Sequence, residues 1–273
     1  MLKNDGAVSA STEADWANMT VYVPASKDHG WPSFGPASQS SSATLDIAVL
    51  DYFFGTVLTD EIVLDDDGNV VEFIQPSAEE LASVDIVIVG MDTPNNGNQF
   101  SSTGFDRDLE EWLPISLQWG TYVADGQYVR QVSMSGVLQT DGTRTNRSYF
   151  GNTAWISNDE HLVSLQRAVA IAADLDVPVI TLVRGVGSST FVPTEIYDIS
   201  NAIFLGFGIS DQALLEVGLG LHEPSGRLPI TMPADMDAVE RQYEDIADTG
   251  PFVDSNGNAW SFGFGLNFSG TIE

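Results

Sequence analysis

Val84-Asp-Ile-Val-Ile-Val-Gly90 is an apolar run of strand length with one charged interruption. A strand covered by helices on both faces reads this way, whereas a half-exposed strand alternates. Val177-Pro-Val-Ile-Thr-Leu-Val183 and Asn201-Ala-Ile-Phe-Leu-Gly-Phe207 read alike, with Pro178 tolerable near a strand start. Met19-Thr-Val-Tyr-Val-Pro24 supplies an earlier, alternating strand. Helical signals lie between the runs. Ser77-Ala-Glu-Glu80 is a capping box opening a short helix to about Ser83. Asp159 to Asp174 carries Leu162, Leu165, Val169 and Ala172 on one helical face, and Ser210 can cap a helix from Asp211 to Gly218. Strands alternating with helices predict a doubly wound, mostly parallel sheet with helices on both faces, an α/β sandwich, as a single domain over residues 1–273. Ligands of such sheets bind beyond the carboxyl ends of the strands. That puts the loops after Val89, Val183 and Phe207 on the functional edge.

The intervening segments carry weaker patterns. Residues 26–43, rich in Ser, Pro and Gly, are expected to be a loop. Ile47 to Val57 fits either a strand or a helix. Ile62 to Phe73 reads as a hairpin around Asp67-Gly68. Its aspartates lack the alternate spacing and closing glutamate of an EF-hand loop. Arg227 to Met232 reads as a final core strand. Asp254-Ser-Asn-Gly-Asn258 reads as a turn, and Phe262, Phe264 and Leu266 place neighbouring Trp260 in the core.

With 43% hydrophobic residues in 273, the chain can bury a sizeable core. No run approaches the ~18 apolar residues of a membrane span, and Met1 to Gly6 lacks a secretory apolar region, which favours a cytoplasmic location. There is no cysteine, and His29, His161 and His222 form no zinc motif, so no cofactor or metal is expected. The net charge is −29, from 39 acidic and 10 basic residues, and Lys3 and Lys27 are the only lysines. Such a field disfavours nucleic acid and anionic membranes as partners. It also predicts an acidic, halophilic protein suited to a high-salt environment, where ions screen the self-repulsion. It leaves oligomer formation open. Arg184-Gly-Val-Gly-Ser-Ser189 lacks the spacing of a phosphate loop, and no Gly-x-Ser-x-Gly elbow occurs. Asn146-Arg-Ser148 is a glycosylation sequon.

The stretch Gly208-Ile-Ser-Asp-Gln-Ala-Leu-Leu-Glu-Val-Gly-Leu-Gly-Leu-His-Glu-Pro-Ser-Gly-Arg-Leu-Pro229, followed by Trp260-Ser-Phe-Gly-Phe-Gly-Leu266, resembles the C-terminal α/β domain of family-3 glycoside hydrolases, the β-glucosidase family. Leu2-Lys-Asn-Asp-Gly6 is similar to the segment where that domain begins. Leu113-Pro-Ile-Ser-Leu-Gln-Trp119, Asn146-Arg-Ser-Tyr149 and Glu240-Arg-Gln-Tyr-Glu-Asp245 fit one branch of the family. The likeness runs nearly end to end, without the N-terminal catalytic barrel. It implies exo-acting, retaining hydrolysis of β-linked glucosides or oligosaccharides. The domain would close one wall of the sugar pocket against a separate catalytic barrel.

The resemblance also implies that Thr103-Gly-Phe-Asp-Arg107 occupies the place of Glu-Gly-x-Asp-Arg, whose glutamate is the general acid/base. Threonine cannot act as that acid, so Asp106 becomes the catalytic candidate, with Asp108, Glu110 and Glu111 as nearby substitutes. Arg107 beside Asp106 equally fits a loop-fixing pair that keeps the aspartate ionised. Thr103, Arg107 and Trp31 are the substrate-binding candidates. Trp31, in Asp28-His-Gly-Trp-Pro-Ser33, is the exposed ring for sugar stacking; Trp112, Trp119, Trp155 and Trp260 read as core. Asp15-Trp16 is superficially similar to the family's nucleophile context but lies in the wrong domain. Three readings remain. The chain is half of a β-glucosidase, weakly active or inactive alone; or a non-catalytic carbohydrate-binding or scaffolding module; or a stand-alone hydrolase using recruited loop residues.

Overall fold

The apolar runs become the middle of one sheet. The computed structural model describes residues 1–29, 39–96, 105–106, 110–133, 136–186, 190–243, 246 and 250–272. In chain order the strands are β1 Lys3–Asn4, β2 Thr20–Val23, β3 Ala25–His29, β4 Gln39–Ala43, β5 Thr56–Thr59, β6 Glu61–Leu64, β7 Val70–Ile74, β8 Ile86–Asp92, β9 Phe105–Asp106, β10 Glu111–Trp112, β11 Val179–Gly185, β12 Ala202–Phe207, β13 Leu266–Asn267 and β14 Gly270–Thr271. The α-helices are α1 Glu13–Trp16, α2 Ile47–Phe53, α3 Ala78–Leu81, α4 Glu160–Leu175, α5 Asp211–Gly218 and α6 Met236–Arg241. None is long and apolar enough to cross a membrane.

The main sheet has the order β1-β12-β11-β8-β2-β5. Every neighbouring pair is parallel except β1 with β12. From β2 the chain steps outward to β5, then returns to β8 on the other side and continues to β11 and β12. The direction of winding therefore reverses between β2 and β8.

Successive side chains of β8 point to opposite faces. Val87, Val89 and Met91 join Leu165, Ala168 and Ile171 of α4 in one core, while Ile86 and Ile88 join Leu50 of α2 and Leu214 and Leu215 of α5 in the other. Both faces are covered, which is why the run is continuously apolar. Gly90 is required by a close approach: a Cβ there would lie 2.2 Å from the Thr44 carbonyl oxygen.

The expected helices form with their caps. Ser77 and Glu80 make the reciprocal capping box of α3, and Ser210 Oγ accepts the Ala213 N–H at α5. α4 ends at Asp176, a non-glycine residue with φ +57°. β6 and β7 form the expected hairpin, and Asp65 Oδ1 accepts the N–H groups of Asp67 and Asn69 in its turn. Asp254 does the same for Asn256 and Asn258. Trp260 is fully buried against Tyr197, Phe252 and Phe264. Asp15 bonds the Thr12 N–H in a capping box and Trp16 is buried, so that pair is structural.

Three expectations change. Residues 26–43 are not a loop throughout: β3 and β4 pair antiparallel from Ala25–Ala43 to His29–Gln39. Main-chain hydrogen bonds hold this ladder, and its serines give no apolar alternation to read. The Ile47–Val57 ambiguity resolves as helix followed by strand. Asp46 caps α2, and β5 begins after Gly55, where a Cβ would meet the Ala17 carbonyl at 2.7 Å. Arg227–Met232 is not a ladder strand. Leu228 and Met232 are buried and bond single carbonyls of Phe264 and Trp260. Between them Pro229 has no N–H to donate.

Candidate functional site

The carboxyl ends of β2, β8 and β11 converge where the winding reverses, the position at which open α/β sheets bind ligands. β8 ends in Asp92 and β11 carries Arg184 directly after its apolar run. Arg184 Nε donates to Asp92 Oδ1 at 2.6 Å, and its Nη1 donates to Asp211 Oδ1 at 3.0 Å. Burial works against the guanidinium charge, but Asp92 and Asp211 outweigh it and its pKa rises. Asp211 is the first residue of α5 and also accepts the Asp46 N–H, so one arginine ties β8, β11 and α5 together.

His161, buried in the first turn of α4, accepts the Asp92 N–H on Nδ1 at 3.0 Å. A neutral imidazole accepting there carries its proton on Nε2, and Nε2 lies 3.1 Å from Asp28 Oδ1. Lys27 Nζ lies 3.5 Å from Glu160. Between the β3–β4 ladder and these groups is a crevice of about 280 Å³, lined chiefly by hydroxyls and charged groups. Asn158 fixes its rim: its Nδ2 donates to the Asp92 and Thr93 carbonyls and its Oδ1 accepts the Asn95 N–H.

Asp106 lies on the short β9–β10 hairpin, directly opposite Glu111. Directly opposed side chains share a face, and like charges there repel. Phe105 opposes Trp112, with ring centroids 5.2 Å apart. Glu110 enters the hairpin with φ +54°, a conformation costing a non-glycine residue about 1–3 kcal/mol. The structure thus sets Asp106 and Glu111 of the candidate loop at opposed positions of one short ladder. Thr103, Arg107, Asp108 and Trp31 lie outside the described residues. Trp119 and Trp260 are core residues as expected, while Trp112 and Trp155 are only half-buried. Arg147 sits 5.3 Å from the Trp112 ring.

The segment from Glu110 to Trp155 is pinned by two distant carboxylates. Glu195 accepts the Trp119 and Gly120 N–H groups at 2.6 and 2.8 Å. Burial pushes its pKa up, partly offset by those donors. Glu240 accepts the hydroxyls of Tyr122 and Tyr149, and the Tyr149 phenol is pushed up to about 12 by burial and by Glu240. The sequon residue Asn146 accepts the Ser133 and Ser148 N–H groups and donates to the Gln131 carbonyl. A glycan on its nitrogen would disturb that turn. Among the described residues no group of three or more His, Cys, Asp or Glu is placed to hold a metal.

Asp92 and Arg184 stood on the predicted edge, next to the apolar runs. Ser26, Asp28 and His161 carried no sequence signal as a group, since only the fold assembles them.

No protein-family model matches the chain. The β-glucosidase C of Emericella nidulans is 35% identical over 181 residues, covering 66% of this chain and 27% of that enzyme. The probable β-glucosidases C of Aspergillus flavus and Aspergillus oryzae are each 36% identical over 89 residues, covering 33% of this chain and 13% of theirs. The matches therefore span about a quarter or less of the curated relatives. A solved β-glucosidase involved in saponin metabolism, from intestinal bacteria, aligns with 98% of this chain and 36% of its own. The TM-score of that alignment is 0.41, at 15% identity. Over the matched stretch, the chain is a relative of the β-glucosidases.

Proposed function

We propose that residues 1–273 form one domain, the α/β wall of a retaining, exo-acting β-glucosidase of glycoside hydrolase family 3, completed by a catalytic barrel. The observation that carries this is the 35% identity to a β-glucosidase over 66% of the chain. A second feature agrees with it. Ile115, Val132, Val137 and Leu138, all in the segment beyond the candidate hairpin, are exposed, as expected of a surface that a partner covers. In this reading β-linked glucosides enter at the carboxyl edge, and Thr103, Arg107 and Trp31 contact the sugar. Asp106 takes the acid/base role left by Thr103. Glycoside hydrolysis uses paired carboxylates, and the register of Asp106 with Glu111 also keeps open a stand-alone hydrolase built on those two.

The test is release of nitrophenol from aryl β-glucosides in molar salt, with the folded chain alone and with a family-3 barrel added in trans. The expected result is little turnover alone and clear turnover with the barrel. Asp106→Asn should lower it about 10²–10⁴-fold, the usual contribution of a general acid. Turnover by the chain alone that depends on both Asp106 and Glu111 supports the stand-alone reading. Inactivity in both settings sinks both hydrolase readings and leaves a non-catalytic module.

A further inference from the structure

We propose that the cavity beyond the outer edge of β12 binds a zwitterion with an apolar side chain, of the class of the free apolar α-amino acids. It lies away from the β2/β8 reversal, with β11 standing between β8 and β12. The proposal does not rest on the β-glucosidase reading.

The fold leaves this space because β1 is short. β1 pairs only with Ala202 and Ile203, so among the described residues the outer side of 204–207 has no ladder partner. α5 and the stretch 223–228 wall the space instead. Phe204, Phe207, Ile209, Leu214 and Val217 give it an apolar lining. Phe207 and Ile209 remain 38% and 44% exposed, so part of that lining meets water until something covers it. The volume is about 240 Å³, the liquid share of roughly eight waters at ~30 Å³ each. That suits one small molecule and is too small for a peptide segment.

The charges at the cavity select the ligand. Glu223 and Arg227 both line it. Their signs are opposite, yet neither side chain pairs with the other or with any other described residue. Elsewhere in the chain, Lys3, Lys27, Arg167 and Arg184 each reach a carboxylate. With a net charge of −29, carboxylates are abundant, and a guanidinium without one is an exception. A simple anion at this place would meet Glu223, and a simple cation would meet Arg227. A neutral apolar molecule would use neither charge. A ligand with an ammonium and a carboxylate on one carbon answers both: its carboxylate can accept the two-bond fork of a guanidinium, and its ammonium can donate to Glu223. Its side chain then takes the apolar wall, the usual division of labour in a small-molecule site.

The test is calorimetric titration of the full chain in molar salt with L-leucine, isocaproate and isoamylamine. The three share a branched aliphatic tail and differ in their charged groups. Expected are saturable binding of L-leucine and at least tenfold weaker binding of each single-charge analogue. Arg227→Gln should weaken L-leucine at least tenfold and leave isoamylamine no weaker, because the amine has no carboxylate to lose. Glu223→Gln should do the same with isocaproate in place of the amine. Both side chains are exposed and without partners, so the ligand-free variants should melt with the parent, and a lost affinity is then not a lost fold. Ser225→Trp, at an exposed lining position, should block binding in a chain that still folds. A folded parent without saturable L-leucine binding, a single-charge analogue that binds as well as L-leucine, or full L-leucine affinity in both charge variants would each overturn the proposal. None of these readouts requires turnover, so the β-glucosidase reading stands or falls separately.

Discussion

In the sheet, Ile86, Val87, Ile88, Val89 and Met91 are almost solvent-free and divide between two cores. In the segment between β8 and α4, Val132 is 72% and Leu138 61% exposed, and the chain is tied down by polar pegs. Glu195 holds Trp119 and Gly120, Glu240 holds Tyr122 and Tyr149, and the Asn96 amide bonds Ser116 in both directions. The sheet's order is written locally, in the pattern of each strand. Much of the segment's order is written far away, in Glu195 and Glu240 of the C-terminal third. The contrast implies that the described parts of the segment can open without unfolding the sheet.

The largest effect should strike both regions. With a net charge of −29, dialysis from molar to millimolar salt lengthens the screening distance and raises self-repulsion. Cooperative melting should be lost or moved sharply down. A chain equally stable without salt would remove the halophilic reading.

Leu165→Ala comes next. Leu165 is fully buried between α4 and the sheet, and truncation should cost about 2–5 kcal/mol. The urea midpoint should fall with an unchanged slope, because the sheet unfolds as a unit. A changed slope would show that the sheet is less cooperative than its packing implies.

Glu240→Ala sharpens the comparison from the other side. Both tyrosine hydroxyls lose a charged acceptor, for about 1–3 kcal/mol. Hydrogen exchange should accelerate around Tyr122 and Tyr149 while amides of β8 and β11 keep their protection. Equal loss in the sheet would mean that the two regions open together.

The smallest effect is a gain. Asp176 is exposed, left-handed, and negatively charged at the C-terminus of α4. Asp176→Asn keeps a residue that tolerates this conformation and removes an unfavourable charge from the helix dipole, for about 0.5 kcal/mol. Urea denaturation of the variant should show a slightly higher midpoint.

What could be read from the chain follows the same division. The parallel strands, the Ser77 and Ser210 caps and the Asp65 and Asp254 turns were visible because neighbouring residues decide them. The β3–β4 ladder was hidden by its serines, and Pro229 interrupts what looked like a last strand. In the site, Asp92 and Arg184 were reachable from their position after apolar runs. Asp28, Ser26 and His161 were not, because β3 and α4 meet only once the sheet has formed. Asp106 was found by resemblance, and its pairing with Glu111 depends on a hairpin whose two strands have only two residues each.

The edge strand β1 has a consequence for how the protein is made. Lys3, buried and donating to the Tyr197 carbonyl, meets a partner 194 residues later in the chain. At roughly 5–20 residues per second of synthesis, the first strand waits on the order of ten to forty seconds before its partner strand exists. For that interval its main chain has no ladder to join, and the nascent polypeptide must stay unsnared through its own solubility. A strongly acidic chain, repelling its neighbours on the polysome, is well suited to that wait.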